Sequence, residues 1–246
     1  ASSTAIYGAR AANGVILITT KAGSKTRFTI NYNAFAGVRL LTRKIEMAGP
    51  NLFTVYSNEA ANAPAILSTD ITGSTDWYDA ITRPAIFQNH SLSVSGGKNK
   101  YRYFVSGGYL NENGILEDNN YQRFTLRLNH DFTLSSRLKI GNTLGFSHYK
   151  SENKPFSLFS QAYNAAPIFN HLNADGSSGN TDKSDVGNPY ATLKTTNSRS
   201  YGIRGTGVLW GEYQVIKGLS FRSSFGIDAE QNNGWNYTPT YFTYLP

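Results

Sequence analysis

From Arg27 to Arg39 the chain alternates with a period of two. Phe28, Ile30, Tyr32, Ala34, Ala36 and Val38 take one side; Arg27, Thr29, Asn31, Asn33, Phe35, Gly37 and Arg39 take the other. Such alternation predicts a strand with one apolar and one polar face. It recurs from Arg123 to Phe132. There Phe124, Leu126, Leu128 and Phe132 oppose Arg123, Thr125, Arg127, Asn129 and Asp131, with His130 on the apolar side. A third clear case runs from Leu219 to Glu230, where Leu219, Phe221, Phe225, Ile227 and Ala229 oppose Ser220, Arg222, Ser224, Asp228 and Glu230. Fainter versions at 89–96, 101–110, 137–149 and 200–214 bring the expectation to seven strands. Several are longer than the usual strand of about 5–6 residues.

The connections alternate in length. Gly96–Asn99, Leu134–Ser136 and Ile216–Gly218 read as tight hairpin turns. The stretches 40–88, 111–120, 150–199 and 231–246 read as long loops. Short turns at one end and long loops at the other mark an outer-membrane barrel. Its strands need only about 9–11 residues to cross the bilayer. The competing reading of the same alternation is a soluble sandwich: a β-rich, glycan-binding or adhesive cell-surface domain without transport. Tyr101, Tyr103, Tyr109, Tyr149, Tyr201 and Tyr213 near strand ends favour lipid, as aromatic girdles do. Seven strands would leave an open edge in lipid, whose unpaired backbone groups are costly, so the barrel reading expects further strands.

Composition narrows the classes. Only 16% of the 246 residues are charged, against roughly 25% in ordinary soluble domains. There are 16 Tyr, 14 Phe and 23 Gly, which argues against disorder. The absence of Cys removes disulfides, thiolate zinc sites and Cys nucleophiles. Although 23 Lys+Arg against 16 Asp+Glu give a net charge of +7, the cations are dispersed, and no nucleic-acid partner is expected.

The opening 24 residues read differently. Gly8 and Gly14 permit tight turns, and Val15–Thr20 is a continuous β-branched run suited to a strand buried on both faces. The run from Ser3 to Lys21, which includes Tyr7, Gly8, Arg10, Asn13, Gly14, Val15, Ile16, Thr20 and Lys21, resembles the end of the plug domain of SusC/RagA-type TonB-dependent outer-membrane transporters. Thr75–Asp79, Gln88–Gly97, Tyr101–Tyr109, Gly114 and Arg123–Asn129 follow in the order of that family.

The resemblance implies an all-β fold: an antiparallel transmembrane barrel segment, part of a plugged barrel of about 22 strands. Residues 1–24 would be the C-terminal end of the plug, with Lys21–Lys25 linking it to the wall, and 25–246 the first part of the barrel. It implies active import of oligosaccharides or peptides across the outer membrane. The implied partners are TonB, reached through a segment outside this sequence, a SusD-like lipoprotein and outer-membrane lipid. No catalytic residue is expected.

Among loop aromatics, Trp77, Tyr78, Trp235 and Tyr237 are candidates to stack on a sugar ring, the alternative being packing of the loops. Lumen-side Arg27, Arg39, Arg123, Arg127, Arg204 and Arg222 are expected to pair with plug acids or attract polar substrates. Other constellations carry less. His90, His130, His148 and His171 lack metal-ligand spacing. Asp175–Asp185 is acidic and Gly-rich but lacks the terminal Glu of a calcium loop, so no cofactor is expected beyond a calcium ion there as a minor alternative. Asp76 and Asp79 flank Trp77 without the partner motif of a glycosidase. Gly205, Gly207 and Gly211 miss the dinucleotide fingerprint by one residue.

Overall fold

The computed structural model describes residues 28–60, 73–181 and 186–238. Seven strands form one antiparallel sheet in chain order: β1 (Thr29–Arg39), β2 (Ala85–Lys98), β3 (Tyr101–Asn113), β4 (Asn120–Thr133), β5 (Leu138–Asn153), β6 (Asn197–Ile216) and β7 (Leu219–Tyr237). Each strand pairs with its neighbours in sequence, which keeps the connections local. All seven expected strands are present. The opening segment expected to end a plug, with Tyr7 to Lys21, lies outside the described residues.

One end of the sheet carries tight connections at 99–100, 134–137 and 217–218. The β2–β3 turn corrects the sequence reading. Gly96 and Gly97 stay in the ladder opposite Tyr103 and Arg102, and the turn falls on Asn99–Lys100, with Asn99 at φ 51°. The side chain of Asn tolerates this left-handed conformation. At the other end, the described residues of 40–84 and 154–196 hold four helices: α1 (Pro50–Ala60), α2 (Trp77–Ile81), α3 (Ser157–Asn164) and α4 (Pro189–Thr195). The connection between β3 and β4 is shorter than expected, only 114–119.

The register puts the apolar side chains in continuous rows. Tyr32, Leu92, Gly107, Leu126, Phe146 and Gly205 share one row; Ile30, Val94, Val105, Leu128, Leu144, Gly207 and Ile227 share the next. No second sheet covers this face among the described residues. Phe221, Phe225 and Ile227 are 65%, 70% and 60% exposed. A soluble sandwich would bury such rows against a partner sheet.

The apolar band has edges. On β4 it runs from Phe124 to Phe132, then gives way to Gln122 and Asn120. That span is about 27 Å along the strand at about 3.4 Å per residue. Tilted by about 40°, it covers about 21 Å of depth, close to the roughly 25 Å band of outer-membrane barrels. At the turn end Tyr101 lies 4.7 Å from Phe132, 5.6 Å from Tyr103 and 5.9 Å from His130, ring centre to ring centre. This cluster closes the lower margin of the band, as interfacial aromatics do. Tyr149, expected among these rings, instead lies on the polar face, where it stacks on Tyr121 at 6.0 Å. Its odd position in β5, beside apolar Leu144, Phe146 and His148, dictates that orientation.

The buried core lies in the connections. Trp77, Tyr78, Ile81, Leu116, Leu158, Ala162, Ala165 and Leu193 form one cluster joining α2, α3, α4 and the β3–β4 connection. Ile81, Leu158 and Leu193 are 0% exposed. The molecule is thus a two-faced wall with a packed cap over its loop end.

Candidate functional site

The polar face is organised by ion pairs between strands. Arg39 on β1 reaches across β2 to Glu112 on β3 at 2.8 Å and lies 4.8 Å above the Phe87 ring. Arg102 meets Asp131 at 2.7 Å. Arg204 holds Asp228 by two bonds, Nε at 3.0 Å and Nη2 at 2.6 Å. Glu212 is shared by Lys139 at 3.5 Å and Arg222 at 3.6 Å, and Arg222 lies 4.4 Å from the Trp210 ring centre. Arg39, Arg204 and Arg222 therefore find acids within the wall itself. Arg123 and Arg127 have no acidic partner among the described residues, and Arg27 lies outside those residues.

Close approach also shapes this face. Tyr149 on β5 donates to Asn232 Oδ1 on β7 at 3.0 Å, passing over Gly202 on β6. A Cβ on Gly202 would lie 2.2 Å from Asn232 Oδ1 and 2.4 Å from the Tyr149 ring, so the bond requires glycine there.

The cap is held by side chains that satisfy its short helices. Asp76 caps α2, accepting from the Tyr78 and Asp79 amides at 3.1 and 3.2 Å. Lys44 bridges Asp76 and Asp79, which ties the segment after β1 to α2. The hydrogen bond to Asp76 raises the Lys44 pKa above its ordinary value against the opposing effect of burial, and the bond to Asp79 adds to the rise. Asn188, fully buried, caps α4 through Tyr190 and Ala191 and donates to the His171 and Gly179 carbonyls at 3.0 and 2.9 Å. All its polar capacity is used, as burial demands. Neither the Lys44 clasp nor the Asn188 node is visible as a motif in the sequence.

Lys154 follows β5 and donates to the Leu193 and Thr196 carbonyls at 2.7 and 2.9 Å, closing the C-terminal end of α4. Burial lowers its pKa. At Lys194 burial works in the same direction, but the hydrogen bond to Glu117 and the charges of Asp118 and Glu117 outweigh it and raise the pKa. Asp175 accepts from Ser177 Oγ at 2.6 Å and the Ser177 amide at 2.9 Å, which lowers its pKa. These bonds make a turn around Gly176, and among the described residues no group of three potential metal ligands comes together.

The four candidate ligand-stacking aromatics fall into two settings. Trp77 and Tyr78 are 3% and 7% exposed; Trp77 Nε1 donates to the Ala166 carbonyl at 2.9 Å. Rings so enclosed have no face left for a sugar, and they pack the loops. Trp235 and Tyr237 lie on β7, not in a loop. Their register opposite Arg199 and Asn197 sets them on the outward side above the apolar band, and Arg199 lies 5.5 Å from the Trp235 ring centre.

A sheet with an uncovered apolar band on one side, ion-paired polar rows on the other, tight turns below and a folded cap above is a section of a transmembrane β-barrel. Comparison with known proteins makes the class specific: the chain is similar from end to end to one section of SusC/RagA-type TonB-dependent receptors. It is 30% identical over 255 residues to TonB-dependent receptor P3 of Formosa agariphila, which covers 98% of this chain and 25% of that protein. It is 38% identical over 132 residues to TonB-dependent receptor SusC of Bacteroides thetaiotaomicron, covering 52% of this chain and 13% of SusC. The fold matches the RagAB peptide importer in its closed-closed state with a TM-score of 0.79 at 20% identity, over 98% of this chain and 32% of the neighbour. No family model matches the chain. The chain spans about a quarter, or less, of the length of these curated relatives.

Proposed function

We propose that this chain forms part of the wall and loop cap of a transporter that imports oligosaccharides or peptides across the outer membrane, driven by TonB, and that it is not an enzyme. The observation that carries the reading is the pairing of an uncovered apolar band of membrane depth with a polar inner face. The relatives, all TonB-dependent receptors, support it. A SusD-like surface lipoprotein is the proposed partner. Helix α1 supports this, since Leu52, Val55 and Tyr56 form a turn-spaced apolar stripe that stays exposed at the loop end, beyond the lipid band. In this reading substrate passes along the polar face, and no covalent step occurs.

Fractionation followed by uptake tests the proposal. The protein should sediment with outer membranes, need detergent for release, and support uptake of a labelled oligosaccharide or peptide only in cells with intact TonB. A folded, detergent-free monomer, or uptake that persists without TonB, would overturn it.

A further inference from the structure

On the polar face, a recess of about 410 Å³ opens beside Arg127 at mid-strand. The register explains the space. Arg127 sits between Ser106 on β3 and Gly145 on β5, and Thr206 on β6 follows in the same row. Gly145 contributes no side chain, and Thr206 Oγ1 leans into the gap, 2.5 Å from where a Cβ would be. Thr125, Ser147 and Arg204 also line it. None of the four hydroxyls, Ser106, Thr125, Ser147 and Thr206, has a side-chain hydrogen-bond partner among the described residues.

Charge sets Arg127 apart from the ion-paired arginines of the wall. Arg39, Arg102, Arg204 and Arg222 each have an acid within reach, whereas Arg127 has none among the described residues. Arg204 also lines the recess, but Asp228, at the far end of the Arg127 row, holds it in two bonds. The recess therefore offers a planar guanidinium and four unengaged hydroxyl donors, with no free carboxylate among them. A guanidinium fork beside hydroxyl donors matches the geometry of a carboxylate or sulfate.

We infer that this recess binds one oxyanion, a carboxylate or sulfate ester, carried by the imported substrate. The inference rests on the polar face lining an aqueous lumen. Arg123 supplies an internal control: it stands four residues away on the same face of β4, exposed and without an acid, yet outside the recess. The second source of such an oxyanion is an acidic side chain of the protein's own plug, and the test separates the two.

The intact protein in detergent is treated with phenylglyoxal, and modification of each arginine is followed by mass spectrometry. Arg123 and Arg127 should react several-fold faster than Arg39 and Arg204. Sodium sulfate, compared with sodium chloride at equal ionic strength, should slow Arg127 several-fold and leave Arg123 unchanged. An Arg127 as slow as Arg204 would mean that the protein's own carboxylate fills the recess, and would overturn the inference. Equal slowing at Arg123 and Arg127 would reduce the effect to general charge screening and overturn it too. Photolabelling of Phe124 and Leu128 from the acyl phase, in lipid vesicles, reads the lumen assignment separately. Its failure would sink the barrel reading, whatever the arginines do.

Discussion

Leu158 and Phe225 are both large apolar residues, yet one is 0% and the other 70% exposed. The cap and the wall use the same side chains against different solvents. In the cap, α2, α3 and α4 are short and acquire stability by burying Trp77, Ile81, Leu158 and Leu193 against one another, with Asp76, Asn188 and Lys154 occupying the helix ends. This is the economy of a small water-soluble domain. In the wall, backbone pairing satisfies the peptide groups and the apolar rows need no protein partner, because hydrocarbon meets them. A large apolar residue thus measures local packing in the cap and membrane depth in the wall.

The largest effect that would test this division is a cavity in the cap. Leu158→Ala should cost the cap about 2–5 kcal/mol, as large-to-small core substitutions do. Hydrogen exchange should then show lost protection in 76–82, 157–164 and 189–195, with β3, β4 and β5 unchanged. Loss of strand protection as well would show that cap and wall are one cooperative unit. In the wall, Leu128→Arg should cost about 2–4 kcal/mol by urea unfolding in lipid vesicles, as cations at the midplane of a barrel's lipid face do. Ser224→Arg, at an exposed position on the polar face, should change stability by less than about 1 kcal/mol, since lumen substitutions meet water. Equal costs at the two positions would remove the distinction between the faces.

The same division explains what could be read from sequence. Alternation records the solvents on the two sides of a strand, so the strands were legible wherever one side met hydrocarbon. Their turn ends fall within a few residues of the expected positions. Their loop ends, apart from that of β1 at Arg39, run further than expected: β5 continues to Asn153, β6 begins at Asn197 and β7 reaches Tyr237. Above the band both faces meet water, as in Glu230-Gln-Asn-Asn-Gly234, and the period vanishes while the ladder continues. The sequence pattern therefore places Trp235 and Tyr237 in a loop. The cap was illegible for a different reason. Its helices have 5, 8 and 7 residues, too few for a periodic signal, and depend on contacts between segments far apart in the chain. The polar-face arginines Arg39, Arg204 and Arg222 meet acids of the wall, supplied by strands whose register no local pattern specifies.

The smallest predicted effect lies at the junction of the two regions, where two lysines titrate in opposite senses. Lys154 has a pKa below the ordinary 10.5 because it is buried against α4. In the window between its folded value and 10.5, the unfolded chain binds more protons than the folded one, so its contribution makes the cap more stable as pH rises. Lys194, raised above 10.5 on balance by Glu117 and Asp118, behaves oppositely: its contribution is complete below 10.5 and is lost as pH climbs through the folded value. In the wild-type chain the two slopes lie in adjoining windows and partly conceal each other. Lys194→Met should expose the rise below 10.5, and Lys154→Met should leave only the loss above it. Hydrogen exchange of the 189–195 amides, corrected for its intrinsic pH dependence, reads both. The strands β3 and β4 should show neither slope, because neither lysine enters their ladders. A matching slope there would mean that the junction transmits the cap's stability into the wall.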